Sequence, residues 1–253
     1  MMVTLTKDKL LEIGEQVQDF RLPSITALYG IHKDRTRPAE LLGSGTFVQH
    51  KDDVFVLTAY HVVKNSSKYE YILHPVGGGG ENMFPLRGDW TGWPEEDGDL
   101  ALWGCFRERI DTSPIQPIQI VEPFGITNAR KNAFFITSGY PADKAWSLPF
   151  AREYYTMLHT VMGDAALPDD IPGHCFAINC ANDIRYFGMS GSAVWNLNLH
   201  RCRTVEEWSP QMSTFAGVTT RWNADEGLLI ATKAEVTKEF LCGAIESLRA
   251  DRR

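Results

Sequence analysis

The chain has 253 residues, of which 43% are hydrophobic and 23% charged, as in an ordinary globular protein with a sizeable core. Its net charge of −7 argues against nucleic acid as a ligand, because proteins that bind nucleic acid usually carry a basic face. No run approaches the ~18 apolar residues that cross a bilayer, so we expect no membrane association. The N-terminus also lacks the apolar segment of a secretory signal, which predicts a cytoplasmic location.

The cysteines indicate free thiols. There are five, an odd number at sparse spacing, whereas a disulfide framework uses paired cysteines in a short secreted chain. Free thiols fit a reducing compartment. No second Cys/His pair accompanies Cys175 and Cys180, so we expect no metal site and no cofactor.

Residues 7–20 predict a short amphipathic helix. Leu10, Ile13, Val17 and Phe20 fall on one helical face, with charged residues between them. We expect this face to cover the protein's own β-structure, since most amphipathic helices pack on their own core. A docking element for a partner protein is the alternative.

After Ser24 the pattern changes to short β-rich segments separated by Gly, Pro, Asp or Asn, as in an antiparallel barrel or sandwich. The first group of predicted strands comprises residues 24–29, 45–49, 54–59, 69–74 and 100–106. The stretch 111–132 contains three prolines and is expected to connect two β-rich halves. The second group comprises residues 133–138, 154–161, 174–179, 192–195, 215–220 and 228–231.

A helix is predicted at the C-terminus. Thr232 and Glu235 have the spacing of a capping box, in which a Ser or Thr is followed three residues later by Glu. Apolar residues then recur at helical spacing from 236 to 248.

Three polar residues stand in short motifs beside apolar strand patterns. They are His61 in Leu57-Thr58-Ala59-Tyr60-His61-Val62-Val63, Asp99 in Asp99-Leu100-Ala101-Leu102, and Ser190 in Gly188-Met189-Ser190-Gly191-Ser192-Ala193. The chain order His, Asp, Ser belongs to the chymotrypsin arrangement and differs from the orders in subtilisins and α/β-hydrolases. The chain therefore resembles the chymotrypsin-like serine peptidases over most of its length.

This resemblance implies an all-β fold of two antiparallel six-stranded β-barrels, with an N-terminal helix and a C-terminal helix. The implied boundaries are residues 1–23 for an N-terminal helical extension and 24–122 for the first barrel. Residues 123–253 would form the second barrel and the C-terminal helix, and the whole would be one peptidase domain.

The three motifs together predict nucleophilic catalysis. A serine hydroxyl is a poor nucleophile at neutral pH, so it needs a base, and the base needs a third group to hold its tautomer. In this interpretation Ser190 attacks a peptide carbonyl, His61 accepts and returns the proton, and Asp99 orients His61. Asp97 is a rival acid, but Asp99 directly adjoins the Leu-Ala-Leu run and is the one expected to be buried. By resemblance, the N–H groups of Gly188 and Ser190 form the oxyanion hole.

A finer resemblance is to bacterial trypsin-like and glutamyl-endopeptidase-like peptidases, whose Gly-Tyr-Pro segment matches residues 139–141. The predicted substrate-binding residues are Ile184, Arg185, Thr219 and Thr220. Trypsin has an Asp where this chain has Ile184, which argues against Lys or Arg before the scissile bond. The glutamyl enzymes have a His where this chain offers Thr219 or Thr220, which argues against strict acidic specificity. Arg185, like Arg221, either attracts an acidic substrate residue or is a solvated surface residue.

The residue before Ser190, Met189, indicates whether the enzyme needs N-terminal cleavage to become active. In the trypsin family a carboxylate just before the serine pairs with a newly cut N-terminal amine, and Met189 cannot form that pair. We therefore predict a serine endopeptidase that needs no N-terminal cleavage and acts on a protein or peptide substrate. Because a cytosolic peptidase needs restraint, a regulatory protein partner or another trigger is also expected. A non-catalytic peptide-binding module and an esterase-type hydrolase on the same fold are the alternatives.

Overall fold

β-Strands and two long helices build the structure, a computed structural model that describes residues 6–34, 36–75, 83–86, 89–105, 118–119, 133–141, 145–148, 153–156, 159–166, 168, 170–180 and 186–250. The helices are α1 (Lys7–Arg21), α2 (Tyr60–Val63) and α3 (Ala234–Ala250). The strands of the first half are β1 (Ile25–His32), β2 (Glu40–His50), β3 (Asp53–Thr58), β4 (Tyr69–Pro75), β5 (Met83–Pro85), β6 (Trp90–Trp93), β7 (Leu100–Cys105) and β8 (Ile118–Gln119). Those of the second half are β9 (Phe134–Gly139), β10 (Ala145–Leu148), β11 (Glu153–Thr156), β12 (His159–Ala166), β13 (Cys175–Asn179), β14 (Ala193–Asn196), β15 (Thr214–Asn223) and β16 (Leu228–Lys233). The predicted β-rich class with a helix near each end is confirmed.

Strands β1 to β8 form one sheet. Seven of them follow the order β5-β4-β1-β2-β3-β7-β6, and β8 pairs with β2. Every pair in this order is antiparallel, whereas β8 runs parallel to β2. Across the described residues this sheet is an open half-barrel rather than the closed barrel expected, because its end strands β5 and β6 do not pair with each other.

Strand β3 is buried on both faces, which explains its continuous apolar run. Val54 and Val56 pack in the core of the first sheet. Phe55 and Leu57 point the other way and join a second core that includes α3 and Trp195. Full burial of each such side chain contributes about 1.5–3 kcal/mol relative to exposure. His61 follows this rigid strand by three residues.

Six strands of the second half close a barrel in the order β12-β13-β16-β15-β14-β9. Phe135 and Phe176 meet in its interior with their ring centroids 4.9 Å apart. Tyr186 and Met189 are 3% and 0% exposed in the same core. The segment around Ser190 is therefore anchored in the barrel by apolar side chains on its N-terminal side.

Helix α1 packs against the second half of the molecule. Ile13 and Val17 are 2% and 1% exposed in the core that contains Trp195. This contact agrees with the expectation that the helix covers the protein's own β-structure. Phe20 was predicted on the same face, but it is 38% exposed. The guanidinium of Arg21 lies 3.6 Å from the ring centroid of Trp195 and 4.5 Å from that of Phe20.

Helix α3 begins at Ala234, so Thr232 does not stand at the N-cap position that the predicted capping box requires. Thr232 lies in β16, and its hydroxyl donates to the carbonyl of Gly98 at 2.6 Å. The other end of the helix is tied to β3, because Arg249 donates to the carboxylate of Asp53 at 2.7 Å. None of the described helices combines the length and apolar character of a membrane span.

Candidate active site

His61 and Asp99 are brought together by neighbouring strands. β3 pairs with β7, with Thr58 opposite Ala101, so the segments at this end of both strands lie side by side. His61 follows β3 in the single turn of α2, and Asp99 directly precedes β7. The main-chain N–H of Tyr60 donates to the carbonyl of Asp99 at 3.1 Å, which joins the two segments before any side chain is considered.

Both carboxylate oxygens of Asp99 contact His61. Oδ2 lies 2.6 Å from Nδ1 of the ring, and Oδ1 accepts the main-chain N–H of His61 at 2.9 Å. A carboxylate on Nδ1 places the ring proton there and leaves Nε2 as the acceptor of the neutral imidazole. The ring is half-exposed and Asp99 is 6% exposed, so the charged partner is buried and the other edge of the ring faces the solvent side.

The backbone at Asp99 explains why this acid is turned inward. Gly98 has φ +134° and Asp99 has φ +52°, both in the region that favours glycine and, more rarely, Asp or Asn. The N–H of Asp99 donates to the carbonyl of Pro94 at 2.9 Å and stabilises this tight turn. Asp97, the rival acid, is exposed on the short 3₁₀ helix Glu95–Asp97.

Ser190 lies in a turn with a glycine two residues before it and another directly after it. Gly188 and Gly191 both have φ +94°, which side-chain-bearing residues rarely adopt. The N–H of Gly191 donates to the carbonyl of Thr219 at 2.7 Å, and the carbonyl of Ser190 accepts the N–H of Ser44 at 2.8 Å. This turn is therefore held by the second barrel on one side and by the first sheet on the other.

The Ser190 hydroxyl donates to the carbonyl of Thr220 at 3.3 Å rather than to His61. The structure thus joins His61 to Asp99 directly, whereas the Ser190 hydroxyl is bonded to the backbone of β15. Gly43 lies between the two segments, since a Cβ built there would lie 2.7 Å from the side chain of Val62 and 3.0 Å from the carbonyl oxygen of Ser190. Only a glycine permits this close approach.

The N–H groups of Gly188 and Ser190 are unengaged. In the part of the chain that the structure describes, neither has a hydrogen-bond acceptor, whereas the N–H groups of Met189 and Ser192 donate to the carbonyls of Tyr186 and Met189 at 3.1 Å. Two main-chain donors without partners beside a serine hydroxyl form an arrangement that can bind an anionic oxygen.

Of the four predicted substrate-binding residues, the structure describes two, and both are buried. Ile184 and Arg185 lie outside the described residues. Thr219 is fully buried, and its hydroxyl donates to the carbonyl of Met189 at 2.5 Å and accepts the N–H of Ser192 at 3.1 Å. Its side chain thus stabilises the Ser190 turn. Thr220 is 6% exposed and lines a small cavity beside Asp99.

That cavity has a volume of about 20 Å³, room for about one water molecule. Its wall includes the thiol-bearing residue Cys175, and burial raises the pKa of that thiol above its ordinary value. Glu95 and Arg221 also line it and form an ion pair with each other. This pair joins the turn before Asp99 to strand β15. Sequence reasoning missed it, because nothing local relates residues 126 positions apart.

Metal binding has no support in the described residues, where no cluster of His, Cys, Asp or Glu side chains is arranged to hold an ion. The four cysteines whose side chains are described are free thiols, namely Cys175, Cys180, Cys202 and Cys242. Ser44 and Thr58 are the site neighbours that sequence reasoning did not identify. Both are buried hydroxyl residues at the junction of the two halves, and a small polar residue within a strand carries no distinctive pattern.

Comparison with protein-family models and with curated proteins found no match. Solved structures do resemble the chain. The Rv3671c protease from M. tuberculosis in its active form has 14% identity and a TM-score of 0.55, over 97% of this chain and 88% of that one. The HtrA-type protease AlgW, solved with a tripeptide, has 14% identity and a TM-score of 0.58, over 92% of this chain and 64% of that one. At this identity the likeness establishes the architecture, and the chain has the chymotrypsin-like fold.

Proposed function

We propose that the chain is a serine endopeptidase that hydrolyses peptide bonds through His61, Asp99 and Ser190, without a cofactor. The observation that carries this proposal is that Asp99 contacts His61 through both carboxylate oxygens. Oδ2 lies 2.6 Å from Nδ1 of the ring, and Oδ1 lies 2.9 Å from the main-chain nitrogen. An imidazole held in this way accepts a proton only at Nε2. That property is what a general base beside a serine requires.

The unengaged N–H groups of Gly188 and Ser190 support the same proposal. A carbonyl under attack develops negative charge on its oxygen, and preorganised donors stabilise that charge more than they stabilise the ground state. Removing one such donor typically lowers the rate by ~10²–10³-fold. A turn that was only structural would have no need of two donors left open beside a hydroxyl.

The free edge of β15 supports a peptide as the substrate. β14 pairs with β15 as far as Val218, and β16 pairs with the other edge as far as Asn223. Among the described strands, none pairs with residues 221–223 on the β14 side. An extended peptide can add to such an edge by main-chain hydrogen bonds, which would place it directly after the carbonyl that accepts the Ser190 hydroxyl. Two structures that share this fold are named proteases, which also favours a peptide.

In the proposed reaction the Ser190 hydroxyl leaves the Thr220 carbonyl and donates to Nε2 of His61. Its oxygen forms a bond to the carbonyl carbon of the substrate while the proton passes to His61. The C–N bond then breaks, and His61 returns the proton to the departing amine, which leaves an acyl ester on Ser190. Water attacks this ester with His61 again as the base, and Ser190 regains its proton.

For the substrate residue before the scissile bond we propose that Lys and Arg are disfavoured. The proposal rests on the sequence resemblance, in which Ile184 stands six residues before Ser190, where trypsin has an acidic residue. β15 ends with Thr220, Arg221, Trp222 and Asn223, none of which carries a negative charge. A peptide-library profile dominated by Lys or Arg before the cleaved bond would contradict it.

The test of the function is the Ser190→Ala variant. We expect the original chain to react with a fluorophosphonate probe and to hydrolyse unstructured protein, and Ser190→Ala to do neither while it remains folded by circular dichroism. Labelling of Ser190→Ala would place the nucleophile elsewhere. A chain that is neither labelled nor active, but binds peptides, would be a peptide-binding module. A labelled chain that cleaves esters and no peptides would be an esterase.

A further inference from the structure

Ser44, in the middle of β2, uses every one of its polar groups at the junction of the two halves. It is fully buried. Its N–H donates to the carbonyl of Ser190 at 2.8 Å, its hydroxyl donates to the carbonyl of Gly188 at 2.8 Å and accepts the N–H of Tyr140 at 2.9 Å, and its carbonyl accepts the hydroxyl of Thr58 at 2.7 Å. The four partner residues lie in three separate segments of the chain, so these bonds are not the regular pairing of one strand with its neighbour.

The two carbonyls that Ser44 holds belong to Gly188 and Ser190, whose N–H groups have no acceptor among the described residues. A peptide unit is planar, so fixing the carbonyl oxygen of Gly188 fixes the plane between Gly188 and Met189. Along the chain, this peptide unit follows the N–H of Gly188 and precedes the N–H of Ser190. Gly188 is at φ +94° and has no side chain to restrict rotation, so hydrogen bonds hold this plane. The N–H of Met189 donates to the carbonyl of Tyr186 on one side, and the hydroxyl of Ser44 donates to the carbonyl of Gly188 on the other.

We propose that Ser44 is a positioning residue for the oxyanion site. It holds the carbonyls of Gly188 and Ser190 so that the N–H groups of these residues point to one place. The inference rests on the proposed peptidase function for its catalytic consequence. Ser44 touches no reacting atom, and its action passes through the backbone of the Ser190 turn.

Thr58 extends this role to the base. It is the last residue of β3, three positions before His61, and its hydroxyl holds the carbonyl of Ser44. Ser44 is thus bonded to the strand that carries His61 and to the turn that carries Ser190. Ser44 therefore contributes to the spacing between the segment of the nucleophile and that of the base.

Thr46 offers a matched control. It lies two residues further along β2, is fully buried, and also spans the junction, donating to the carbonyl of Gly191 at 3.2 Å and accepting the N–H of Ala193 at 3.0 Å. The Thr46 hydroxyl makes two hydrogen bonds, as the Ser44 hydroxyl does. Thr46→Val removes it with almost no change in side-chain volume. Its bonds lie after Ser190, so they leave Gly188 untouched.

The experiment compares Ser44→Ala with Thr46→Val in the full chain, by peptide hydrolysis and by amide hydrogen exchange. For Ser44→Ala we expect kcat to fall at least about tenfold with KM within about threefold, since ground-state binding is unaffected. The amide of Met189, which is protected by the carbonyl of Tyr186, should exchange at least about tenfold faster. Thr46→Val should change neither quantity by more than about threefold, although both variants should lower the melting temperature.

If the amide hydrogen of Met189 exchanges at the same rate in Ser44→Ala and Thr46→Val, and kcat is the same in both, the proposal is overturned. If Ser44→Ala does not fold, Ser44→Cys keeps a weaker donor at the same place and should give the same pattern to a smaller degree. Should the original chain hydrolyse no peptide, the proposed function fails. The exchange at Met189 still decides whether Ser44 holds the turn.

Discussion

Asp99 holds His61 at two points, the ring nitrogen Nδ1 at 2.6 Å and the main-chain nitrogen at 2.9 Å. One buried carboxylate therefore fixes both the ring and the segment that carries it. Asp97, two residues earlier, is exposed and takes no part in this contact. The two acids thus differ in the property that a partner of His61 needs, which is burial against the ring.

We expect Asp99→Asn to lower kcat for peptide hydrolysis by about 10⁴-fold, because an amide at this place favours the wrong imidazole tautomer. Asp97→Asn is the control and should stay within about twofold, as for most exposed substitutions. Steady-state kinetics on one peptide substrate, with melting curves for both variants, provide the measurement. The reverse result, an inactive Asp97→Asn and an active Asp99→Asn, would show that Asp97 supports the reaction.

Met189 is 0% exposed and packs in the core of the second barrel. A thioether in an apolar core cannot bind a terminal amine, so the Ser190 turn should not need a newly cut N-terminus. We expect the 253-residue chain to react with a fluorophosphonate at full length. Intact-mass analysis of the labelled protein checks this, and an added N-terminal tag should leave the labelling rate unchanged. A labelled species found only after cleavage near residue 23 would mean activation by proteolysis.

The ion pair between Glu95 and Arg221 should modulate specificity. Both side chains are more than half exposed, so the pair itself stabilises the fold little, by at most about 1 kcal/mol. Glu95→Gln leaves the charge of Arg221 free beside the edge of β15. We expect kcat/KM to rise a few-fold for peptides with an acidic residue near the scissile bond, relative to matched neutral peptides. Glu95→Gln combined with Arg221→Gln should abolish the gain, and a gain that persists in the double variant would exclude Arg221 as its source.

Helix α1 contributes to the core through Ile13, which is 2% exposed, whereas Leu11 is 55% exposed. Ile13→Ala should lower the free energy of unfolding by about 2–4 kcal/mol, from lost burial and the cavity left behind. Leu11→Ala should change it by less than about 0.5 kcal/mol. Chemical denaturation of the two variants measures this difference. Equal, small effects would mean that the helix is not an integral part of the core and would favour the docking alternative.

The thiols should differ in reactivity. Cys242 is exposed to solvent. Burial beside the cavity raises the pKa of Cys175 above its ordinary value, so near neutral pH the fraction of Cys175 present as thiolate is smaller than for an ordinary cysteine. We expect iodoacetamide at pH 8 to modify Cys242 at least about tenfold faster than Cys175, as followed by mass spectrometry of peptides. In denaturant the two should react at similar rates. Faster modification of Cys175 in the native chain would show that the cavity activates its thiol.

The β-rich class, both long helices and the segments that carry His61, Asp99 and Ser190 could be predicted from the amino-acid sequence. These follow from local patterns, since apolar periodicity and turn residues act over a few positions. The inward orientation of Asp99 was also predictable, because an acid that directly begins an apolar strand must be buried with it. The closed second barrel followed from the resemblance, which the solved structures support at the level of fold.

The contacts between distant segments could not be predicted in this way, because they depend on how the two halves pack. Thr232 was expected to cap α3, but it lies within β16, two residues before the helix begins at Ala234, and its hydroxyl donates to the carbonyl of Gly98. The hydroxyl of Thr219 bonds to the backbone of Met189 and Ser192, a contact with the Ser190 turn that no local pattern indicated. Ser44 meets Gly188 across 144 positions, and the energy of such a bond depends on an approach that no local pattern encodes. Local propensity therefore specifies the elements, whereas the packing of the two halves specifies the site.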